Sequence, residues 1–356
     1  MAANKSVCER CEVLPNRIVG DIDMYLSTPV ATTRDTLVDA LRELSLDTNY
    51  LDDILRTHVE SARFAEMTVL FKERLAGNEL EDTRVLIKRH DEQLRLSDFV
   101  HMQTLESVVA MVEAENLIGI LKKKHLITHV QPIVRADGGH EVFAYECLTR
   151  GVDDHGAIIS PGYLFETARK ADLLFYLDRE SRMTAIRSAA PLCRSAKIFV
   201  NFNPTTIYKP EFCLASTMAT MEEQGLTPAD VVFEVVESDR VADIDHLRAI
   251  LGFYRERGFE VALDDLGAGY SSLTRLSELR PNYMKLDIDL CRGVNLHPYR
   301  ATIAKNLIVL ARELGIATVA EGIENKDEAT WFTNAGVDFM QGFYFARPGP
   351  VEEVQR

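Results

Sequence analysis

The sequence predicts an α/β protein, a (β/α)8 barrel preceded by a small α+β or mostly helical N-terminal domain. Three observations predict it. From about Ile127 onward, short β-branched runs alternate with longer amphipathic segments. About eight such runs fall within roughly 230 residues, the size of one barrel. Polar or charged residues close successive apolar runs, as expected where the C-terminal ends of strands share one rim. A chain of 356 residues has room for two domains, and the boundary is placed between them at 118/119.

In the first 118 residues, TRDTLVDALREL reads as a helix. EMTVLF and TRVLIKR flank a polar segment with Gly77–Asn78, the pattern of a hairpin. Ser97 to Lys124 reads as one long helix feeding the barrel, its lysines complementing the helix dipole. The barrel strands are read as 129–134, 142–148, 197–203, 231–236, 259–265, 282–288, 317–321 and 339–345. Helical patterns lie between most of them, and three end in glycine after the last periodic residue. This alternation predicts a mostly parallel sheet with helices outside it. A doubly wound open sheet is the alternative, but no G-x-G-x-x-G loop follows any strand.

Composition narrows the function. The chain carries 40 Lys plus Arg against 55 Asp plus Glu, a net charge of -15. That balance argues against coating duplex nucleic acid, though not against a small phosphorylated ligand held through metal ions. No run of eighteen apolar residues occurs, so no transmembrane helix is expected. Six scattered cysteines fit a reducing cytoplasm better than a disulfide scaffold. Cys8 and Cys11 form one C-x-x-C pair, two ligands where a structural zinc needs four. His58, His90 and His101 lie at no spacing that completes it, so incidental thiols are the favoured reading.

The chemistry-bearing residues are Glu146, Asn201, Glu234, the pair Asp264 and Asp265, Lys285, Glu321 and Gln341. Each ends or follows an apolar run, at intervals near one strand-plus-helix unit of about 30 residues. Single acidic residues at strand ends often only cap the next helix. A whole set on one rim would repel strongly unless cations were present. Carboxylate and amide oxygens suit Mg2+ or Mn2+. Two such ions are a common device for phosphodiester hydrolysis, and one lysine among the carboxylates fits a charge that steadies water or phosphate.

From about Leu126 to Pro350 the chain resembles the EAL family of cyclic di-GMP phosphodiesterases. The motifs are QPIV (131–134), YECLTR (145–150), VNFNP (200–204), FEVVES (233–238), LDDLGAGYSSL (263–273), MKLD (284–287), VAEGIEN (319–325) and MQGFYFARP (340–348). The resemblance implies a modified TIM barrel that cleaves one phosphodiester of cyclic di-GMP to the linear dinucleotide. It implies two Mg2+ or Mn2+ ions and a homodimer formed through the barrel; Ca2+, whose coordination is longer and looser, is expected to inhibit. Carried over, Glu146, Asn201, Glu234, Asp264 and Asp265 are metal ligands. Lys285 is the catalytic lysine, and Glu321 the base or water activator. Arg150 grips a substrate phosphate, Gln131 touches substrate, and Glu324 and Gln341 line the site. Glu237 braces the loop LGAGYSS (266–272); an exposed carboxylate at a helix start is the plainer reading of it.

Several positions depart from the family pattern: Cys147 in E-C-L, Leu266 in D-D-L-G, Val236 and Asn203. None deletes a ligand, so they bear on rate and loop regulation. The enzyme is expected over a cyclic di-GMP receptor that does not cut its ligand, and over an interaction protein that binds neither metal nor nucleotide. Both alternatives ordinarily lack ligands this chain retains. The signal or partner of the N-terminal domain is not legible.

Overall fold

In the computed structural model, residue 14 and residues 20–90, 92–207, 209–235, 244–266 and 272–354 are described, the side chains of 265, 266 and 272–275 excepted. Among these residues, contacts divide the chain into two compact units. One comprises 14–124 with 162–174, and the other 125–161 with 175–354. The division falls after Lys124, so the helix Glu115–Lys123 belongs to the first unit. No helix among the described residues is long and apolar enough to cross a membrane.

The first unit is built on five strands: β1 (Ile22–Ser27), β2 (Thr48–Leu51), β3 (Ile54–Val59), β4 (Arg84–Arg89) and β5 (Gln103–Thr104). They pair in the order β2-β3-β1-β4-β5, all antiparallel. Helices Ala31–Glu43 and Phe64–Arg74 fall between β1 and β2 and between β3 and β4, a β-α-β-β-α-β arrangement. Ile22, Met24 and Leu26 alternate onto one face and pack with Leu37, Leu41, Met67 and Phe71.

Two sequence expectations fail in this unit. EMTVLF lies in the helix Phe64–Arg74, because its buried residues Phe64, Met67, Thr68 and Phe71 recur at helical spacing. Gly77–Asn78 then open a short helix, Gly77–Asp82, so no hairpin forms there. The stretch from Ser97 to Lys124 is a 3-10 segment (Leu96–His101), β5 and two helices, Leu105–Glu113 and Glu115–Lys123. It breaks because Gln103 pairs with Val85 on β4 and the Thr104 hydroxyl caps the next helix, accepting from Ser107 N at 3.1 Å.

The second unit is a closed eight-stranded barrel. Its strands are β6 (Leu126–Arg135), β7 (Val142–Val152), β9 (Lys197–Phe202), β10 (Val231–Val235), β11 (Glu260–Leu266), β12 (Tyr283–Leu286), β13 (Ala317–Ala320) and β14 (Phe339–Gln341). Two short strands, β8 (Ile158–Ile159) and β15 (Gly349–Pro350), pair at its margins. The seven strands from β7 to β14 run parallel, and β6 closes the barrel antiparallel to both β7 and β14. The expected strands are therefore present, with one reversed. The segment 339–345 is strand only to Gln341, after which the chain turns.

Strand alternation sorts the barrel side chains into two sets. Outward positions such as Cys147, Val200, Phe233, Leu263 and Met284 form the main core under the surrounding helices. Inward positions contribute one apolar residue per strand: Ile133, Ala144, Phe199, Val232, Ala262, Tyr283, Val319 and Phe339. Together they plug the barrel as a packed layer.

A buried polar knot supports the end of β9. Asp178, on the helix Leu174–Ala189, accepts from Asn203 N at 2.8 Å, Thr206 Oγ1 at 2.8 Å and Arg182 Nη1 at 2.6 Å. Asp178 and Arg182 are both nearly inaccessible. Removing one partner of such a pair leaves a buried charge uncompensated. Asp178→Ala is therefore expected to destabilise the barrel by about 3–5 kcal/mol in urea unfolding. A loss below ~1 kcal/mol would show that the knot carries no such coupling.

Candidate active site in the barrel mouth

The polar residues of the mouth follow from the apolar layer beneath them. Two residues beyond each apolar position, in the direction of the parallel strands' C-terminal ends, stand Glu146, Asn201, Glu234, Asp264, Lys285, Glu321 and Gln341. On β6, which runs the other way, the equivalent position lies two residues before Ile133 and is Gln131. A period of two keeps every one of them on the inner face. All eight had been identified from the sequence, and the barrel brings them together.

Lys285 stands at the centre. Its ammonium lies 2.5 Å from Glu321 Oε1, 3.1 Å from Asp264 Oδ1 and 3.7 Å from Glu146 Oε2, and it also pairs with Glu234. One ammonium thus faces four carboxylates, leaving a marked excess of negative charge. Burial alone would lower the lysine pKa, but Asp264, Glu146, Glu234 and Glu321 outweigh it and hold the group well above its ordinary value. Burial pushes Glu234 well up, with Lys285 opposing and the other carboxylates adding. Glu321 is pushed up to about 8 by burial, again against Lys285 and with Asp264 and Glu146 reinforcing the rise.

Amides orient the signature glutamate. Glu146 accepts from Gln341 Nε2 at 2.6 Å and from Asn201 Nδ2 at 3.3 Å. Gln341 also donates to Gln131 Oε1 at 3.1 Å, and Gln131 donates to the Ala346 carbonyl at 3.0 Å. Cys147 points the other way, into the helix-covered core, where burial raises its thiol well above the ordinary range. The E-C-L departure therefore leaves the mouth untouched.

The donor set fits hard cations. Oxygens of Glu234, Asp264 and Glu321 lie within 4.8 Å of one another. Oε2 of the fully buried Glu234 accepts no hydrogen bond, and Glu234 Oε1 and Asp264 Oδ1 meet the Lys285 ammonium only as ion pairs. Buried carboxylates in excess of their counter-charges are stabilised by a divalent ion. The Asp265 side chain, Glu237, Val236 and the loop 267–271 lie outside the described residues, as do Cys8 and Cys11.

A cleft of about 240 Å3 opens beside this cluster. Gln131, Glu146, Glu321, Glu324 and Gln341 line it, joined by Arg292 and Phe343. Arg150 is half-buried four residues beyond Glu146, senses that carboxylate's charge and donates to the Thr149 carbonyl at 2.9 Å, but does not line this cleft.

The sequence reading missed three contributors. Arg292 pairs with Glu324, and Phe343 lies 48% exposed with the Arg347 guanidinium 4.3 Å from its ring centre. Glu328, almost fully buried, accepts from Gly293 N and Glu324 N, both at 2.8 Å, and so fixes the Arg292 and Glu324 loops together. An exposed aromatic after Q-G was a signal for Phe343; Arg292 and Glu328 gave none, since only tertiary contact relates them. Gly342 is required sterically. A Cβ there would lie 2.1 Å from the Ile323 carbonyl, in the loop after Glu321.

Comparison with known proteins agrees with this geometry. The chain is 31% identical over 229 residues to the probable cyclic di-GMP phosphodiesterase PdeG of Escherichia coli K12, covering 63% of this chain and 44% of that protein. It is 30% identical over 227 residues to the cyclic di-GMP phosphodiesterase RocR of Pseudomonas aeruginosa, covering 63% and 57%. The chain thus spans about half the length of these curated relatives. A standalone EAL protein from Vibrio cholerae O395, solved with c-di-GMP bound, superposes with a TM-score of 0.57 at 35% identity, over 63% of this chain and 92% of that one. The EAL domain model matches residues 101–348, and with the barrel and its complete polar layer this places the chain in the EAL domain family.

Proposed function

We propose that this chain hydrolyses one phosphodiester bond of cyclic di-GMP to linear pGpG, in a reaction that needs Mg2+ or Mn2+. The observation that carries the reading is the complete polar layer, in which one ammonium faces four carboxylates at the barrel mouth. A receptor that only binds the dinucleotide would not need Lys285 and Glu321 held together beneath the substrate.

Glu146, Asn201, Glu234 and Asp264 would hold the cations, with Asp265 added by the family resemblance. When bound, two such ions supply Lewis-acid stabilisation of the phosphoryl oxygens and lower the pKa of water. The residues do the rest. Glu321, beside Lys285 and Asp264, is the carboxylate that takes the proton of the attacking water. Lys285 orients that carboxylate and places positive charge beside the phosphorus. Gln341 and Asn201 keep Glu146 in one orientation. Arg150 and Arg292 offer guanidinium contacts to phosphate, and Phe343 offers an exposed aromatic face for a guanine base. The first unit would regulate turnover, the barrel would pair with a second copy, and the protein would act in the cytoplasm. Ca2+ would inhibit, its longer and looser coordination disrupting the site.

Chromatography of cyclic di-GMP incubated with the full chain should show the linear dinucleotide only with Mg2+ or Mn2+ added. Binding without product would make the chain a receptor. Lys285→Ala should lower kcat by at least about 100-fold, and activity near wild type would remove the lysine from the mechanism. Phe343→Ala should raise KM by about 5–150-fold with a smaller change in kcat, the range of one base–aromatic stack. An unchanged KM would exclude stacking there. Because Glu321 is raised to about 8, it is largely protonated at pH 7 in the metal-free protein. Cation binding at pH 7 should therefore release protons, seen as buffer-dependent binding enthalpy, and Glu321→Gln should reduce the release.

A further inference from the structure

We propose that Asp23, His58 and His90 form a second metal site, built wholly within the N-terminal unit and suited to a borderline divalent ion of the zinc class. The three residues are far apart in sequence and meet through strand register. β1 is the middle strand, with β3 on one side and β4 on the other. Asp23 on β1 stands directly across from His58 on β3. His90 follows β4 and is held beside β1 by its N–H to the Asp21 carbonyl at 3.1 Å. Because Ile22 and Met24 face the helix-covered core, Asp23 between them projects from the opposite face of the sheet.

The geometry there is that of a ligand set. Asp23 is 2% exposed. Its Oδ1 lies 3.0 Å from His90 Nδ1 and 3.4 Å from His58 Nδ1. With metal bonds of about 2.0–2.1 Å, two tetrahedral donors stand about 3.3 Å apart. The imidazole rings lie 4.1 Å apart, so both nitrogens reach the same oxygen from neighbouring directions. The other carboxylate oxygen, Oδ2, accepts from Arg56 Nη2 at 2.8 Å, the kind of outer contact that orients a ligating carboxylate.

Hydrogen bonding alone does not satisfy the cluster. His90 Nδ1 is within hydrogen-bond distance of Asp23 Oδ1, but His58 Nδ1 is buried and makes no hydrogen bond. A cation between the three atoms uses both imidazole lone pairs and the carboxylate charge at once. Two imidazoles and one carboxylate suit Zn2+ or Co2+ better than Mg2+, which separates this site from the all-oxygen barrel mouth. The histidine side chains are 40% and 56% exposed, leaving room for water in the remaining positions.

The test is Co2+ and Zn2+ binding to the metal-free full chain, with excess Mg2+ added to compete for the all-oxygen barrel mouth. Co2+ is followed by its visible absorption and Zn2+ by competition with a chromophoric chelator. The expected result is one equivalent bound, with affinity reduced at least about tenfold in His58→Ala and in His90→Ala and unchanged in Glu146→Ala. Unchanged binding in both histidine variants, loss confined to Glu146→Ala, or no binding at all would overturn the site. Crystals of the wild-type chain soaked in Zn2+ give a reading that needs no variant. An anomalous peak bounded by Asp23, His58 and His90 supports the site, and its absence there refutes it.

Discussion

The mouth of the barrel depends on the apolar layer below it. Eight side chains, one from each strand, close the barrel interior and fix the height and facing of the next inward position on every strand. Because strand side chains alternate with a period of two, the residue two steps on has no choice of face. The reversed strand obeys the same rule, with Gln131 reached by counting backwards from Ile133. Residues from eight separate parts of the chain become neighbours without any of them needing to attract another.

Placing those residues side by side is electrostatically costly. Four carboxylates and one ammonium are packed where water is scarce, and the raised values of Glu234 and Glu321 express that cost. The fold bears it through rigid surroundings. Asp178 and Arg182 anchor the turn after β9, and the amides of Asn201 and Gln341 hold Glu146. The loops after β13 and β14 are laced by hydrogen bonds from Ile323 N to the Gln341 carbonyl and from Tyr344 N to the Ile323 carbonyl. That close approach is why position 342 is glycine. The excess of carboxylate over ammonium is what the proposed cations would offset.

The N-terminal sheet uses the same alternation toward a different end. One face is hydrocarbon against helices, while the other carries Asp23, Arg56, His58 and His90 across adjacent strands. The donors are mixed nitrogen and oxygen, where those of the barrel are oxygen alone, so the two clusters differ in the ions they favour.

The barrel strands, the polar residue at each strand end and the family resemblance were all readable from the sequence, because a period-two pattern and a repeated strand–helix unit are local properties of the chain. The N-terminal helix Phe64–Arg74 misled as a strand because a short apolar run carries either period. The segment from Ser97 broke where a two-residue strand found its partner on β4, a contact 18 residues away. Tertiary structure alone decided that β6 runs backwards, that Arg292, Glu328 and Phe343 gather beside the mouth, and that Asp23 meets two histidines. Each depends on pairing between distant segments, and register and loop packing are set by the whole fold, whereas side-chain alternation is set by the chain itself.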